Sequence, residues 1–416
     1  MFTAALVMLA ACKGENTGLK DNNCNTIIYD YLYGVEYDDY DFDFAMQAFE
    51  KLKPAAAGCS EVRKGDFVGR NLDWYINLEA SAIIKINASA ERYASLGMVG
   101  STSVFTNELA KSGEYSDAYK ILPLGTVDGI NEKGLYIGVN VMPTGETSFD
   151  EQSWEYGKWG KGAAFTNPES DKCFCVTYLV RVVLDNAASV SEAKDLVESI
   201  NWYEPSGFPH EGESQAFHWL ICDATTSAVL EFIDNVPYFT ETTATDKPSY
   251  ATVMTNFTNK LMSDAQKIQG HGMGYERWDT LVDNYEDAPD TFEGIEDLMK
   301  TVWYTKCYTE EMGSHNYMLT DFSSDKFPAY SLYKHYEYWD EEYLIQRMNH
   351  YKEVFADKEN WHKADTPIWY TTHTSVYNLP TRELRVMTHE GYDEQQEFFS
   401  ASFDINFAKP LDHENK

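Results

Sequence analysis

Residues Gly58 to Trp74 read GCSEVRKGDFVGRNLDW. Two runs of strand character, Cys59 to Val62 and Phe67 to Trp74, flank Arg63-Lys64-Gly65-Asp66, whose glycine and aspartate suit a tight hairpin turn. The stretch just before them follows another period. Phe44, Met46, Phe49 and Leu52 recur at helical spacing within Asp43 to Pro54, Pro54 stops that helix, and the small run Ala55-Ala56-Ala57-Gly58 comes next. A boundary therefore falls at Cys59.

Working outward, strand-like runs continue at Ala82 to Ile86, Leu135 to Val141, Trp219 to Cys222 and Val229 to Ile233. Helical periodicity marks Val176 to Asp185, where Val176, Leu179, Val180, Val183 and Leu184 share a face, and also Ser191 to Ile200, Tyr275 to Tyr285 and Phe292 to Val302. Tyr330 to Ala356 reads as one or two amphipathic helices. Trp369 to Tyr377 and Glu383 to Thr388 form a late hairpin around Leu379-Pro380-Thr381. Strands and helices arrive in blocks without an internal repeat, which favours a layered α+β fold over a Rossmann-like parallel sheet.

The 416 residues include 33 Lys+Arg and 67 Asp+Glu, a formal net charge of −34. That balance argues against a nucleic-acid groove, which needs a basic stripe, and against attraction to an anionic bilayer. A 43% hydrophobic and 15% aromatic content supplies a sizeable core and rules out disorder for the bulk of the chain. Beyond the first dozen residues no apolar run approaches the roughly 18 that a spanning helix needs.

Those first residues, MFTAALVMLAACKGEN, are apolar to Ala11 and then turn polar, the shape of a secretory signal. Leu9-Ala10-Ala11-Cys12 resembles the lipobox of bacterial lipoproteins, in which Cys12 becomes an acylated new N-terminus, although no positive charge precedes the apolar run. Residues 13 to 25 read as a flexible tether. Seven cysteines, an odd number, leave at least one outside any intramolecular disulfide. Cys173-x-Cys175 is too tight for the usual zinc-ligand spacing, and H-E-x-x-H, G-x-S-x-G and G-x-x-x-x-G-K are all missing from the sequence. Metal, serine-hydrolase and nucleotide readings therefore lack their anchors.

Gly58-Cys59 followed by Gly69-Arg70-Asn71-Leu72-Asp73-Trp74 resembles the choloylglycine hydrolase and penicillin V acylase family, whose relatives include N-acylethanolamine acid amidase and acid ceramidase. The resemblance continues through Asn131-Glu132-Lys133-Gly134-Leu135, FHWLICDATTSAVLEF (Phe217 to Phe232), Val253-Met254-Thr255-Asn256 and THTSVYNL (Thr372 to Leu379), in order along most of the chain. It implies a four-layer αββα N-terminal-nucleophile hydrolase that uses no cofactor and whose mature chain begins with cysteine. On that reading residues 1–12 are a signal peptide with lipobox, 13–58 a tether and propeptide, and 59–416 the catalytic domain, with a helical aromatic insertion at about 308–362.

The chemistry can be argued beside the resemblance. A free α-amine, with a pKa of about 7.7 to 8.0, can act as general base at neutral pH where a lysine at about 10.4 cannot. Cleavage before Cys59 would put that amine and the nucleophilic thiol on one residue. Arg70 is the expected cation for the thiolate, and Asp73 the expected acceptor for the α-amine. Because the two are three residues apart, a regular strand would point them to opposite faces, so the strand is expected to bend or end near Leu72-Asp73. By resemblance Asn256 donates to an oxyanion hole. The second donor is a backbone N–H, for which Asn140 in GVNVMPTG is the candidate, one residue closer to the NEKGL motif than in bile salt hydrolases, with Val141 as the alternative. Arg277 resembles the family's late arginine. His218 and His271 are expected to be structural.

The 58 residues before Cys59 resemble the amidase and acyltransferase branches, where such a bond is cut autocatalytically and the propeptide can stay bound. The expected activity is hydrolysis of the linear C–N amide of a small N-acyl compound with an apolar or aromatic acyl group, through an acyl-thioester. The expected place is a bacterial cell envelope, with the membrane touched only through a lipid anchor. Three alternatives stand beside it: a dedicated bile salt hydrolase or penicillin V acylase, an acyltransferase to an amine, and a non-catalytic ligand-binding surface lipoprotein.

Overall fold

The computed structural model describes residues 24–29, 32–49, 59–75, 82–100, 118–142, 166–203, 216–233, 235–259, 275–303, 369–390, 399–405 and 407. The leader at 1–12, the tether up to Asn23 and the aromatic insertion expected at about 308–362 lie outside these residues, as does His271. In chain order the elements are β1 (Cys24–Tyr29), β2 (Leu32–Tyr37), α1 (Phe42–Phe49), β3 (Cys59–Lys64), β4 (Phe67–Tyr75), β5 (Ala82–Ile86), β6 (Ser95–Val99), α2 (Ala118–Ile121), β7 (Thr126–Asn131) and β8 (Tyr136–Met142). There follow β9 (Cys173–Cys175), α3 (Leu179–Asn186), α4 (Val190–Ser199), β10 (Asn201–Tyr203), β11 (Ala216–Cys222), β12 (Ser227–Ile233), β13 (Val236–Thr242) and β14 (Val253–Met254). The last are α5 (Tyr275–Tyr285), α6 (Phe292–Lys300), β15 (Trp369–Asn378), β16 (Glu383–Glu390) and β17 (Phe399–Ile405).

A nine-stranded sheet has the order β1-β2-β5-β6-β7-β8-β11-β12-β13, and a six-stranded sheet has the order β14-β3-β4-β15-β16-β17. The alternation of side chains along each strand sorts residues into layers. In the larger sheet Ile84, Ile137, Trp219, Ile221, Leu230 and Phe232 face one way, into a core shared with Leu179, Val183 and Leu184 of α3 and Val190, Ala193 and Val197 of α4. Their neighbours Ile83, Tyr136, Leu220, Cys222 and Val229 face the other way, meeting Val68, Tyr377, Leu384 and Val386 of the smaller sheet. On the far side of that sheet Val62, Phe67 and Val376 pack against Leu281 and Tyr285 of α5 and Ile295, Leu298 and Met299 of α6. Helices, sheet, sheet, helices: this is the expected four-layer αββα fold. The strands read as nearly continuous apolar runs because both of their faces are covered.

Local chemistry sets the element ends. The β3–β4 hairpin turns through Gly65-Asp66, with Gly65 at φ 53°, so Arg63 and Lys64 belong to the strand and not to the turn. Ser189 caps α4 by accepting from the Glu192 N–H at 3.2 Å while Glu192 accepts from Ala188 at 2.9 Å, and Thr291 caps α6 through Gly294. Gly69 is required by close packing: a Cβ there would lie 2.6 Å from Ile295 Cγ2 and 2.8 Å from Met299 Cγ.

Among the described residues ahead of Cys59, two strands join the larger sheet. β2 pairs in parallel with β5, β1 closes antiparallel on β2, and the strand at Cys24 shortens the expected tether by two residues. Val35, Tyr37, Tyr40 and Ala45 are buried in the outer core. Polar ties reinforce the contact: Tyr40 Oη donates to Asp185 Oδ2 at 2.5 Å, Arg92 Nη1 donates to the Tyr40 carbonyl at 2.7 Å, and Lys85 pairs with Glu36 at 3.1 Å.

Candidate active site

Cys59 is the first residue of β3, buried between the sheets, with its register partner Leu72 on β4. Val62 faces the helices, so by alternation Cys59 and Glu61 face the space between the sheets. On β4, Val68, Arg70 and Leu72 face the same space, whereas Gly69, Asn71 and Asp73 face the helices, Asn71 donating to the Met299 carbonyl at 2.9 Å.

Arg70 and Asp73 therefore do lie on opposite faces, and the bend expected at Leu72-Asp73 is not in β4, which runs on through Tyr75. The irregularity is in its neighbour: Thr371 pairs with Asp73 and His373 with Leu72, leaving Thr372 as a bulge. The extra residue flips Thr371 to the helix face, where its hydroxyl donates to Asp73 Oδ1 at 2.7 Å. Cys59 is reached from both sides at once because its side chain leaves one face while its backbone lies in the sheet plane.

From the inner face comes Arg70. Its Nη2 is 3.3 Å from Cys59 Sγ and 2.8 Å from the Val139 carbonyl, its Nε 3.3 Å from Glu61 Oε1, and its Nη1 3.7 Å from Asp128 Oδ1. Tyr136 Oη donates to Glu61 Oε2 at 3.0 Å, and the Ser375 hydroxyl donates to Asp128. Two carboxylates around one guanidinium, all out of water, cannot both ionise freely. Burial pushes Glu61 up to about 8 and also raises Asp128, with Arg70 opposing both. Burial pulls against the Arg70 charge, but Cys59, Asp128 and Glu61 together hold it firmly protonated.

From the helix face comes Arg277 of α5. Its Nη1 donates to the Cys59 carbonyl and to Asp73 Oδ2, both at 2.9 Å, and its Nη2 donates to Asn256 Oδ1. Burial raises Asp73 to about 6, with Arg277 first among the groups that pull it down. In the continuous chain the Cys59 N–H donates to Asn256 Oδ1 at 3.0 Å, while the Asp73 oxygens engage Arg277 and Thr371. Before any cleavage this nitrogen is thus held on Asn256. Burial pushes the Cys59 thiol up to about 12, Arg70 opposing and Asp73 adding.

Five of the six expected residues, Cys59, Arg70, Asp73, Asn256 and Arg277, meet here. Asn140 does not join them. Pairing of β7 with β8 stops at Asp128 and Gly138, so the carbonyls of Val139 and Val141 reach out from an open edge, to Arg70 and to Asn256 Nδ2 (2.5 Å) respectively. A residue's N–H and C=O share one edge of a strand. Val141 therefore presents its N–H on the open side, whereas Asn140 turns its own toward β11, and the Asn140 side chain donates to the Thr255 carbonyl at 3.1 Å. Of the two alternatives, it is the Val141 N–H that faces the edge where Asn256 sits.

Glu61, Asp128, Tyr136 and Thr371 were not foreseen. Glu61 and Asp128 occupy strand positions where a carboxylate normally faces solvent; the only signal is that each falls on the inward phase of its strand. Among curated proteins none matches the chain. The family model of linear amide C–N hydrolases, choloylglycine hydrolase family, matches residues 59–280, starting on Cys59. Among solved structures the chain is similar to a mutant conjugated bile acid hydrolase from Clostridium perfringens, at 15% identity and TM-score 0.38, covering 86% of this chain and 99% of that one. It is also similar to penicillin V acylase from Agrobacterium tumefaciens, at 14% identity and TM-score 0.37, covering 84% and 86%.

Proposed function

The chain belongs to the choloylglycine hydrolase family of linear amide C–N hydrolases, and we propose that it cleaves small N-acyl amides with Cys59 as an N-terminal nucleophile. One observation carries this reading: the nitrogen and the sulfur of Cys59 both point into the buried site, the first onto Asn256 and the second onto Arg70. Maturation starts when Sγ attacks the Gly58 carbonyl, the peptide nitrogen leaves as the Cys59 amine, and water hydrolyses the resulting thioester to free the Gly58 carboxylate. An amide nitrogen has no basic lone pair; the amine does.

In turnover the amine takes the thiol proton, Arg70 stabilises the thiolate, and sulfur attacks the substrate carbonyl. Asn256 Nδ2 carries a second hydrogen beyond the one given to Val141, and this hydrogen together with the Val141 N–H supports an oxyanion. The α-ammonium returns the proton to the leaving amine, and water activated by the amine then hydrolyses the acyl-thioester. Arg277 orients Asp73 and Asn256 around the new terminus. The cut propeptide is retained, supported by the β2–β5 pairing and the Tyr40–Asp185 bond. The acyl group is apolar or aromatic, simple N-acyl amides are cleaved at least as well as bile-acid conjugates, and the Leu9 to Cys12 lipobox anchors the precursor in a bacterial envelope.

Intact mass and amine release from a panel of N-acyl amides test the reading together. Wild type should cut at Gly58–Cys59 and then turn over, while Cys59→Ala should do neither. Full-length protein that stays uncut yet hydrolyses amides as fast as residues 59–416 carrying a free Cys59 amine would overturn the mechanism.

A further inference from the structure

The FHWLICDATTSAVLEF motif contributes a histidine and a glutamate for which hydrolysis itself has no use. In the fold they form part of a polar row. Asn140 on β8 is the register partner of His218 on β11, and His218 is the partner of Glu231 on β12. All three are buried and, by alternation with Tyr136, Leu220 and Val229, face the space between the sheets. Polar side chains in that layer are costly unless hydrogen-bonded.

Their bonds converge on one segment. Asn140 Nδ2 donates to the Thr255 carbonyl at 3.1 Å, and His218 Nε2 approaches the same oxygen at 2.7 Å. A carbonyl only accepts, so Nε2 carries the proton. His218 Nδ1 lies 3.4 Å from Glu231 Oε1, and that oxygen accepts the Asn259 N–H at 2.7 Å. Asn259 in turn ties its side-chain amide to the carbonyls of Tyr250 (2.7 Å) and Val253 (3.1 Å). The segment is therefore gripped at Thr255 and at Asn259, and the residue just after the first grip is Asn256, whose amide spans Cys59 N–H and the Val141 carbonyl.

We propose that His218 and Glu231, with Asn140, are positioning residues that hold Asn256 against Cys59 by clamping the main chain on both sides of it. The row acts through the Thr255 carbonyl and the Asn259 N–H and touches no reacting atom. The catalytic half of this inference rests on the reading of Asn256 as an oxyanion donor.

Two measurements on the full-length chain separate the inference from that reading. Amide hydrogen exchange over residues 253–259 in the Cys59→Ala background reports the clamp without any turnover. His218→Leu and Glu231→Leu should raise exchange there at least tenfold, whereas His218→Gln, which can still donate to Thr255, and Glu231→Gln, which can still accept from Asn259, should restore most of the protection. In the Cys59-containing enzyme His218→Leu should lower kcat tenfold or more with KM changed less than about twofold. The same change made on top of Asn256→Ala should then cost little more, because the clamp would hold nothing that acts. Unchanged exchange at 253–259, leucine and glutamine variants behaving alike, or additive losses in the double variant would each overturn the proposal. If the exchange pattern appears as described while wild type cleaves no N-acyl amide, the clamp stands and the proposed function fails.

Discussion

Arg277→Met removes the charge that binds the helix face of the site while keeping most of the side-chain volume. Three buried acceptors lose a donor: the Cys59 carbonyl, Asp73 Oδ2 and Asn256 Oδ1. Breaking one half of a buried ion pair typically costs about 3–5 kcal/mol. The pH dependence of that loss is the sharper test. Asp73 titrates at about 6 with Arg277 present, and without it burial acts unopposed by its strongest partner, so the carboxyl stays protonated well above that value. Below pH 6 Asp73 is mostly neutral in both proteins and its ionisation adds nothing to the difference. Between pH 6 and pH 8 Asp73 is ionised in both the native and the unfolded parent, whose stability no longer changes through this group, while the native variant still holds a proton that its unfolded chain has released and so goes on losing about 1.4 kcal/mol per pH unit. The destabilisation read from urea titrations should therefore grow by up to about 3 kcal/mol over that range. A loss that is the same at pH 5 and pH 8 would refute the Asp73–Arg277 pairing as the origin of the effect.

Glu61 has a native value near 8, above its unfolded one, so the native state holds a proton that the unfolded chain releases. Its contribution is present in full at low pH and is lost as pH rises toward 8; Tm profiles of wild type and Glu61→Gln should diverge in favour of glutamine from pH 5 to pH 8, and parallel profiles would contradict this. Gly69→Ala forces a methyl against Ile295 and Met299, and denaturant titration should show a loss of about 1–3 kcal/mol from overpacking; a silent substitution would deny the close approach of α6 to β4. If the Gly58–Cys59 bond is cut as proposed, the N-terminal piece should co-elute with residues 59–416 on gel filtration and separate only in denaturant, whereas free dissociation in buffer would show that β2 and α1 do not hold it.

Much of this molecule was legible because its signals are local. A glycine and an aspartate between two strand-like runs make the β3–β4 hairpin, and a hairpin brings Cys59 beside Leu72, so Cys59, Arg70 and Asp73 are neighbours before any other part of the chain arrives. The helix at Tyr275–Tyr285 and the strand at Ala82–Ile86 match their sequence reading residue for residue, each having a clear apolar period. The edge strand β1 and its neighbour β2 carried no such mark, since their place in the sheet depends on a strand that comes later in the chain, β5.

What the sequence by itself determined is the fold class, the hairpin and the identity of the neighbours of Cys59, because turn chemistry and side-chain alternation act over a few residues. Only the tertiary structure decided which face each neighbour takes. A single bulged residue on β15 turns Thr371 toward Asp73; the early end of β7 opens the edge on which the Val141 carbonyl meets Asn256; and α5 delivers Arg277 into a buried pair with Asp73. Glu61 and Asp128 became part of the site for the same reason. A carboxylate's role depends on what lies across the inter-sheet gap, and strands far apart in the chain build that gap together.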